Sequence, residues 1–372
     1  MEPKVLPHVH VNGVDHVEFR VNDAYHAAKL LCKSFGFQEV AYADASTGRK
    51  YTESVVLKQG SIFLILSQPI RRDSYLATVI RDHGEGVHDV AFLVDDIAQA
   101  HDTALARGAI EAAGIQGFDG TIAHCAIKAC GPVVHTLIER HEYTGAFAPG
   151  FFRTTHPRFF DPSVGVESID HFVLNVEIGK MRRWADFYER VFGFHEFTGF
   201  TEDQISAGNA ALRSVVMRSP DGSVTMPINE PVEKKFGHID EFLRDRHGPG
   251  VQHLAFRTPD ILATVSALRT RGVEFLPVPR EYYEAAAQRL NPGGTKWDPA
   301  TLHTLIEKLE ELGILIDQDE KGYLLQIFTK VVFGKGAGLF FEIIERCGSD
   351  GFGEGNFKAL FESIERAAGR LK

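Results

Sequence analysis

Of 372 residues only 4 are cysteine and 2 are tryptophan, and no apolar run approaches the roughly 18 to 20 residues that span a bilayer. Cys32, Cys125, Cys130 and Cys347 are too few and too scattered for a disulfide framework. Cys125 and Cys130 lack the two-residue gap of a zinc knuckle. They read as reduced core thiols. Positive charge is not in excess either: 40 Lys and Arg face 50 Asp and Glu, a formal net charge of −10. The basic residues are dispersed, which argues against nucleic acid or anionic lipid as a main partner. The opening stretch through His16 has no apolar secretory core, so no membrane and a cytoplasmic location are expected. What is present is ordinary globular material, 44% hydrophobic and led by 28 Phe, enough for about two domains of roughly 150 residues.

The two halves of the chain repeat each other. Gly13-Val14-Asp15-His16-Val17 returns as Ser168-Ile169-Asp170-His171-Phe172, and Phe35-Gly36-Phe37 returns as Phe192-Gly193-Phe194. Gly86-Val87-His88-Asp89-Val90-Ala91-Phe92 matches Gly250-Val251-Gln252-His253-Leu254-Ala255-Phe256, and the match stays in step through Arg107-Gly108 and Arg271-Gly272. Each half reads as strand, helix, then several strands, twice over, so four βαβββ-like modules are expected. The class is α+β, with helices over 24–35, 181–192 and 261–271 and alternating strands such as 171–176. The division should lie in 145–164, which carries Pro149, Pro157 and Pro162, giving a first domain 1–150 and a second 151–372. The second half also carries an insertion over 281–322 with a helix at 299–312. A glycine-rich turn at 351–355 precedes a terminal helix from about 356 to 371.

Three repeat-related positions decide whether this duplication carries chemistry. In the second half they are His171, His253 and Glu342, each inside an apolar strand pattern. A strand histidine is ordinarily a hydrogen-bonded core residue, and a strand glutamate ordinarily pairs with an arginine. Glu342, however, has hydrophobic neighbours on both sides in Leu339-Phe340-Phe341-Glu342-Ile343-Ile344, and a buried carboxylate requires a cation, a metal or a proton. The first-half counterparts are His16, Asp89 and Thr136, a set that has lost its third ligand. One metal site is therefore expected, in the second half. Two imidazoles and one carboxylate leave three positions of an octahedral metal open on one face, the facial triad of non-heme Fe(II) oxygenases.

These motifs resemble the 4-hydroxyphenylpyruvate dioxygenase family of the vicinal oxygen chelate superfamily, over almost the whole chain. The resemblance is densest at Pro227-Ile228-Asn229-Glu230-Pro231, Gly250-Val251-Gln252-His253, Leu324-Leu325-Gln326-Ile327-Phe328, Phe340-Phe341-Glu342 and Gly351-Phe352-Gly353-Glu354-Gly355-Asn356-Phe357. It implies two tandem domains of paired modules forming open, barrel-like sheets. It further implies one Fe(II) per chain held by His171, His253 and Glu342, with a 2-oxo acid substrate and O2. The implied chemistry is chelation of the keto acid, loss of CO2, ring hydroxylation and side-chain migration to homogentisate in tyrosine and phenylalanine catabolism. By the same resemblance Ser214, Asn229, Gln252 and Gln326 contact the substrate, while Phe328, Phe340, Phe352 and Phe357 wall its ring; core filling is the alternative role for each Phe. A homodimer or homotetramer is implied, built through a metal-free first domain.

Periodicity agrees with part of this assignment. Gln326 and Phe328 share a strand face, as do Phe340 and Glu342. Gln252 adjoins His253, so a regular strand aims it away from the metal unless a bulge turns it or it acts from behind the ligands. Gly351, Gly353 and Gly355 can hinge the terminal helix, with Leu360 and Phe361 on the inner face of a lid. The chain departs from the family at Gly237-His238-Ile239, where a glutamine is usual. His238 either replaces that glutamine as a hydrogen-bonding partner or marks a different ring substituent. The hairpin over 331–338 also differs, which should affect a surface turn only. The nearest rival, 4-hydroxymandelate synthase, has Thr and Ile in place of Pro227 and Asn229. More distant rivals are an extradiol catechol dioxygenase and a scaffold that has lost turnover, which the intact triad counts against.

Overall fold

The computed structural model describes residues 7–118, 121–141, 143–207, 210–233, 236–290, 297–333, 338–367 and 369. The first half runs β1 (Val14–Arg20), α1 (Ala24–Phe35), β2 (Gln38–Ala43), β3 (Thr52–Gln59), β4 (Ile62–Pro69), α2 (Tyr75–His83), β5 (Gly86–Leu93), α3 (Ile97–Ala106), β6 (Glu111–Phe118), β7 (Ile122–Lys128), β8 (Val134–Arg140) and β9 (Phe152–Arg153). The second runs β10 (Ser168–Asn175), α4 (Met181–Phe192), β11 (His195–Phe200), β12 (Ser206–Ala207), β13 (Ala210–Arg218), β14 (Thr225–Pro231), α5 (His238–Asp245), β15 (Gly250–Arg257), α6 (Ile261–Thr270), α7 (Arg280–Leu290), α8 (Pro299–Leu312), β16 (Leu315–Gln318), β17 (Tyr323–Phe328), β18 (Phe340–Cys347) and α9 (Glu354–Ala367).

The repeat seen in the sequence is a repeat of topology. The first sheet has the order β6-β7-β8-β5-β1-β4-β3-β2-β9 and the second β11-β13-β14-β10-β15-β18-β17-β16. Each is two modules joined where their first strands pair antiparallel, β1 with β5 and β10 with β15. In every module the last strand returns parallel to the first, as β4 does to β1 and β18 to β15. The repeated Phe-Gly-Phe has a local cause: Gly36 and Gly193 end α1 and α4 in the left-handed conformation, at φ 72° and 68°, where a side chain would be strained. Helix α4 buries Ala185, Phe187, Tyr188, Val191 and Phe192, with about 1.5–3 kcal/mol gained for each large side chain.

Both sheets share one contiguous core. Phe35 meets Phe341 at 5.2 Å, Phe37 meets Phe256 at 5.9 Å, and His135 Nε2 lies 2.8 Å from the Tyr188 hydroxyl. The proline-bearing connection is stitched to the first sheet, because β9 pairs with β2. Helix α8 occupies the expected residues, whereas α7 inside the insertion was not anticipated. The terminal helix begins at Glu354, two residues ahead of the expected start, and Leu371 lies outside the described residues, as do 334–337 of the altered hairpin. All four cysteines are free, and three are buried. Among the described residues no helix is long and apolar enough to cross a membrane.

Candidate metal centre

His171 lies mid-strand on β10, His253 on β15 and Glu342 on β18, three strands adjacent at the centre of the second sheet. They are the only three ligating side chains found together among the described residues, all buried, with ligand atoms within 4.8 Å of one another. Glu342 Oε2 stands 3.2 Å from His171 Nε2 and 3.5 Å from His253 Nε2. Two ligand atoms at right angles on one first-row metal, each about 2.1 Å from it, are about 3 Å apart. The three side chains thus fit one mononuclear Fe(II) site.

Charge and hydrogen bonding hold this set in place. His171 Nδ1 is 2.9 Å from Asp170 Oδ1, and Arg346 grips both oxygens of Asp170 at 2.7 Å. Burial opposes charge on Asp170, but Arg346 and His171 outweigh it and keep the carboxyl well below the usual range. Burial also opposes charge on His171, yet Glu342 and Asp170 push its pKa up to about 9. Glu342 is held down to about 2, burial being outweighed by the two imidazoles, while burial lowers the pKa of His253. Proton and divalent cation therefore compete for the same atoms, and metal binding releases a proton. Glu342 Oε1, facing away from the histidines, accepts from Gln326 Nε2 at 2.8 Å.

A cavity of about 20 Å³ adjoins the ligands, lined by His171, Val173, Pro227, His253, Gln326, Phe328, Glu342, Phe352 and Leu360. Of the residues expected around a substrate, Gln326, Phe328, Phe352, Pro227 and Leu360 thus reach the metal side. Phe340 instead stacks on His253 at 4.7 Å, and Phe352 stands edge-on to His171 at 5.1 Å. The side chain of Phe357 lies outside the described residues. Ser214 and Asn229 are paired across β13 and β14, and Asn229 Nδ2 is 3.5 Å from Asn175 Oδ1. Ser214 Oγ, Asn229 Oδ1 and Asn175 Nδ2 are buried without a hydrogen-bond partner among the described residues. Asn175 is not among the residues singled out from the sequence, yet it lies four residues beyond His171 on the same strand, and i, i+2, i+4 share a face.

A bulge falls at Gln252: Val173 pairs with His253 but Leu174 with Val251, so Gln252 is the extra residue and the regular alternation is broken there, although Gln252 is not among the residues lining the cavity. The first half has the same irregularity at His88. His238 does not line the cavity. Its backbone N–H donates to Glu365 Oε1 at 2.8 Å, and its Nδ1 lies 3.1 Å from the same oxygen, tying the start of α5 to α9. Module symmetry also explains where the site stays open. Glu342 sits on the last strand of its module, and the matching place on β14 is Pro227, one residue before the Leu174–Ile228 pair. Proline offers no ligand atom there.

Comparison with known proteins bears on the same residues. Residues 7–149 match the family described as "Hydroxyphenylpyruvate dioxygenase, HPPD, N-terminal", and residues 168–299 match the "Glyoxalase/Bleomycin resistance protein/Dioxygenase superfamily". The chain is 40% identical to a 4-hydroxyphenylpyruvate dioxygenase of Coccidioides posadasii over 95% of this chain and 92% of that one. It is 39% identical to one of Dictyostelium discoideum over 96% and 98%. Among solved structures it resembles a triple mutant of 4-hydroxymandelate synthase from Streptomyces coelicolor, with a TM-score of 0.85 at 31% identity over 96% of this chain and 99% of that one. A fusion of a xylose isomerase-like TIM barrel with a 4-hydroxyphenylpyruvate dioxygenase shares the fold at TM-score 0.76 and 24% identity, over 99% of this chain and 55% of that one.

Proposed function

The chain belongs to the 4-hydroxyphenylpyruvate dioxygenase family, and from that premise we propose that it is an Fe(II)-dependent dioxygenase converting 4-hydroxyphenylpyruvate and O2 to homogentisate and CO2. The observation that carries this reading is the convergence of His171, His253 and Glu342 on one buried cavity with apolar walls. Iron(II) held there supplies the redox chemistry toward O2 and the coordination positions for a 2-oxo acid.

The remaining work falls to the protein's own side chains. Gln326 keeps Glu342 turned toward the histidines. Leaving Ser214 Oγ, Asn229 Oδ1 and Asn175 Nδ2 buried and unpaired costs about 1–3 kcal/mol each, which supports assigning them, with Gln252, to polar groups of the substrate. Phe328 and Phe352, which line the cavity, are assigned to confine the ring and exclude water, with Phe340 stacked behind them on His253; the family resemblance alone adds Phe357. A cavity of about 20 Å³ admits little more than one water, so an aromatic 2-oxo acid enters only when Leu360 and Phe352 withdraw. On the far side of Phe352 lies an open cleft of about 670 Å³. Helix α9 is accordingly assigned as the lid, hinged at Gly353, whose φ of 64° strains any side chain and where an added Cβ would come within 3.0 Å of Gln326 Oε1. His238, bound to Glu365 of that helix, is assigned to hold the lid down.

This reading divides the chain near residue 150 into a metal-free, oligomer-forming domain and a catalytic domain. Exposed Ile110 and Ile115 at the β6 edge support a homodimer or homotetramer, and four free thiols support a cytoplasmic location. The test is O2 uptake by the Fe(II)-loaded protein with 4-hydroxyphenylpyruvate, with products resolved by liquid chromatography and mass spectrometry. Homogentisate with matching CO2 is expected. The likeness to a 4-hydroxymandelate synthase structure makes hydroxymandelate the competing product, and its appearance would overturn the reading of Pro227 and Asn229.

A further inference from the structure

A chain of hydrogen bonds runs from the metal ligand to an insertion helix. Glu342 Oε1 accepts from Gln326 Nε2 at 2.8 Å, Gln326 Oε1 accepts from Asn356 Nδ2 at 2.9 Å, and Asn356 Oδ1 lies 2.6 Å from the Tyr282 hydroxyl. Tyr282 belongs to α7 and Asn356 is the third residue of α9. Gln326, Asn356 and Glu342 are at most 4% exposed, so solvent does not compete for these bonds. We propose that Tyr282 is a positioning residue that couples closure of α9 to the orientation of Glu342, acting through Asn356 and Gln326.

Each bond in this chain has a direction. An amide can present either its oxygen or its nitrogen, so two amides in series are held firmly only when both ends are fixed: the Glu342 carboxylate can only accept at one end, and Tyr282 sets the other. The Tyr282 oxygen receives Ile316 N–H at 2.9 Å and Arg289 Nη2 at 3.1 Å, and both groups can only donate. The phenol has one proton left to give. Ile316 O is within reach at 2.7 Å, but Arg289 Nη2 already serves that carbonyl at 2.7 Å. Among the described residues Asn356 Oδ1 has no donor other than the phenol. Burial pushes the Tyr282 pKa up to about 12, so the proton stays on. The phenol therefore fixes Asn356, Asn356 fixes Gln326, and Gln326 Nε2 is left to donate to Glu342.

The same cluster holds the first turn of the lid. Arg289 Nη1 pairs with Asp317 Oδ1, and Asp317 Oδ2 accepts from Gly355 N–H at 2.9 Å. When α9 lifts, Asn356 leaves with it. Gln326 Oε1 loses its donor, its amide is anchored at one end only, and Glu342 Oε1 is held less firmly. The ligand set is thus in its working orientation only beneath a closed helix.

The inference rests on the reading of His171, His253 and Glu342 as an iron site. Its test is Tyr282→Phe in the full chain, which removes one hydroxyl and keeps the ring. Expected are a folded protein with one iron per chain, a kcat lowered roughly 10- to 100-fold with KM changed far less, and an altered electron paramagnetic resonance line shape of the Fe(II)–nitrosyl adduct. Asn356→Leu should give the same altered spectrum, which guards against misfolding of either single variant. In a Gln326→Leu background Tyr282→Phe should have no further effect. An unchanged nitrosyl spectrum in both single variants, or effects that simply add in the double variant, overturns the proposal. Failure of the unaltered protein to take up iron overturns the site reading itself, and the relay with it.

Discussion

Arg346 and Arg140 occupy equivalent places in the two halves, and the duplication makes one the control for the other. Arg346 holds Asp170 by two bonds of 2.7 Å, with 11% and 6% of the two side chains exposed. Arg140 holds Asp15 at 2.6 and 2.8 Å, with 21% and 9% exposed. Each aspartate in turn meets the Nδ1 of the next residue, His171 at 2.9 Å or His16 at 2.6 Å. Arg→Met at either place leaves a buried carboxylate without its cation, a loss of about 3–5 kcal/mol for a buried pair; the more exposed Arg140 belongs at the lower end. Only the second-half carboxylate orients a metal ligand. Arg346→Met should therefore also weaken iron binding by roughly 10- to 100-fold, while Arg140→Met leaves it unchanged. Urea unfolding of the metal-free proteins and anaerobic Fe(II) titration measure the two effects separately. Equal losses of iron affinity in both variants, or none in Arg346→Met, would refute the claim that Asp170 tunes His171.

Glu342→Ala removes the one anionic ligand and should abolish both stoichiometric iron uptake and turnover while the far-ultraviolet spectrum is retained; iron bound at one equivalent would remove Glu342 from the site. Acid should destabilise the fold before the ordinary carboxylates titrate. Burial lowers the pKa of His135 to about 4 and that of His88 to about 2, against about 6.5 unfolded, so below that value the unfolded chain binds protons that the folded one does not, and each imidazole takes away about 3 kcal/mol by pH 4; Asp89, raised to about 6, offsets roughly one of the two. A urea midpoint equal at pH 7 and pH 4.5 would contradict this. Asp89→His with Thr136→Glu should rebuild a ligand set around His16 and raise bound metal from one to two equivalents, and a folded double variant that still binds one would show that the first half lacks the required geometry.

Much of this architecture is legible in the sequence because duplication supplies an internal comparison. Strand-borne His171, His253 and Glu342 are conspicuous for lying in apolar patterns, and their partners His16, Asp89 and Thr136 show what the same places look like without a metal. Face-sharing rules also put Gln326 and Phe328 on the cavity side. The reading failed where the backbone leaves its period or where contacts join distant segments. No alternation rule places the bulge at Gln252. Nor does any local signal say that Tyr282, inside an insertion, meets Asn356 across 74 positions of chain. His238 was legible as a departure, but its bond to Glu365 depends on how α9 docks. Asn175 is different: its spacing from His171 was sufficient to find it.

The first half retains nearly the whole frame of a metal centre although Asp89 and Thr136 stand at the places of His253 and Glu342, which shows what else the frame does. Asp89 replaces the second histidine and is bound by the Thr136 N–H at 2.9 Å and by the Thr136 hydroxyl. Burial pushes its pKa up to about 6, so its charge is no longer firmly held near neutrality. Yet Arg140 still grips Asp15, and its Nη1 donates to Phe147 O at 2.8 Å with the Phe147 ring under the guanidinium at 4.9 Å. Phe147 in turn stands edge-on to His16 at 5.3 Å. In the second half Arg346 donates to Gly351 O at 2.7 Å and covers Phe352 at 5.6 Å, and Phe352 meets His171. In both halves, then, one guanidinium fastens the chain leaving the last strand to the aspartate beside the first-strand histidine. In the first half that segment is the connection to the second half, and the fastening is purely structural. In the second half the segment is the hinge of α9. On the proposed reading of α9 as a lid, the same arginine there sets both the orientation of a metal ligand and the anchor point about which the lid turns, so access to the metal and the geometry of its ligands share one mechanical origin.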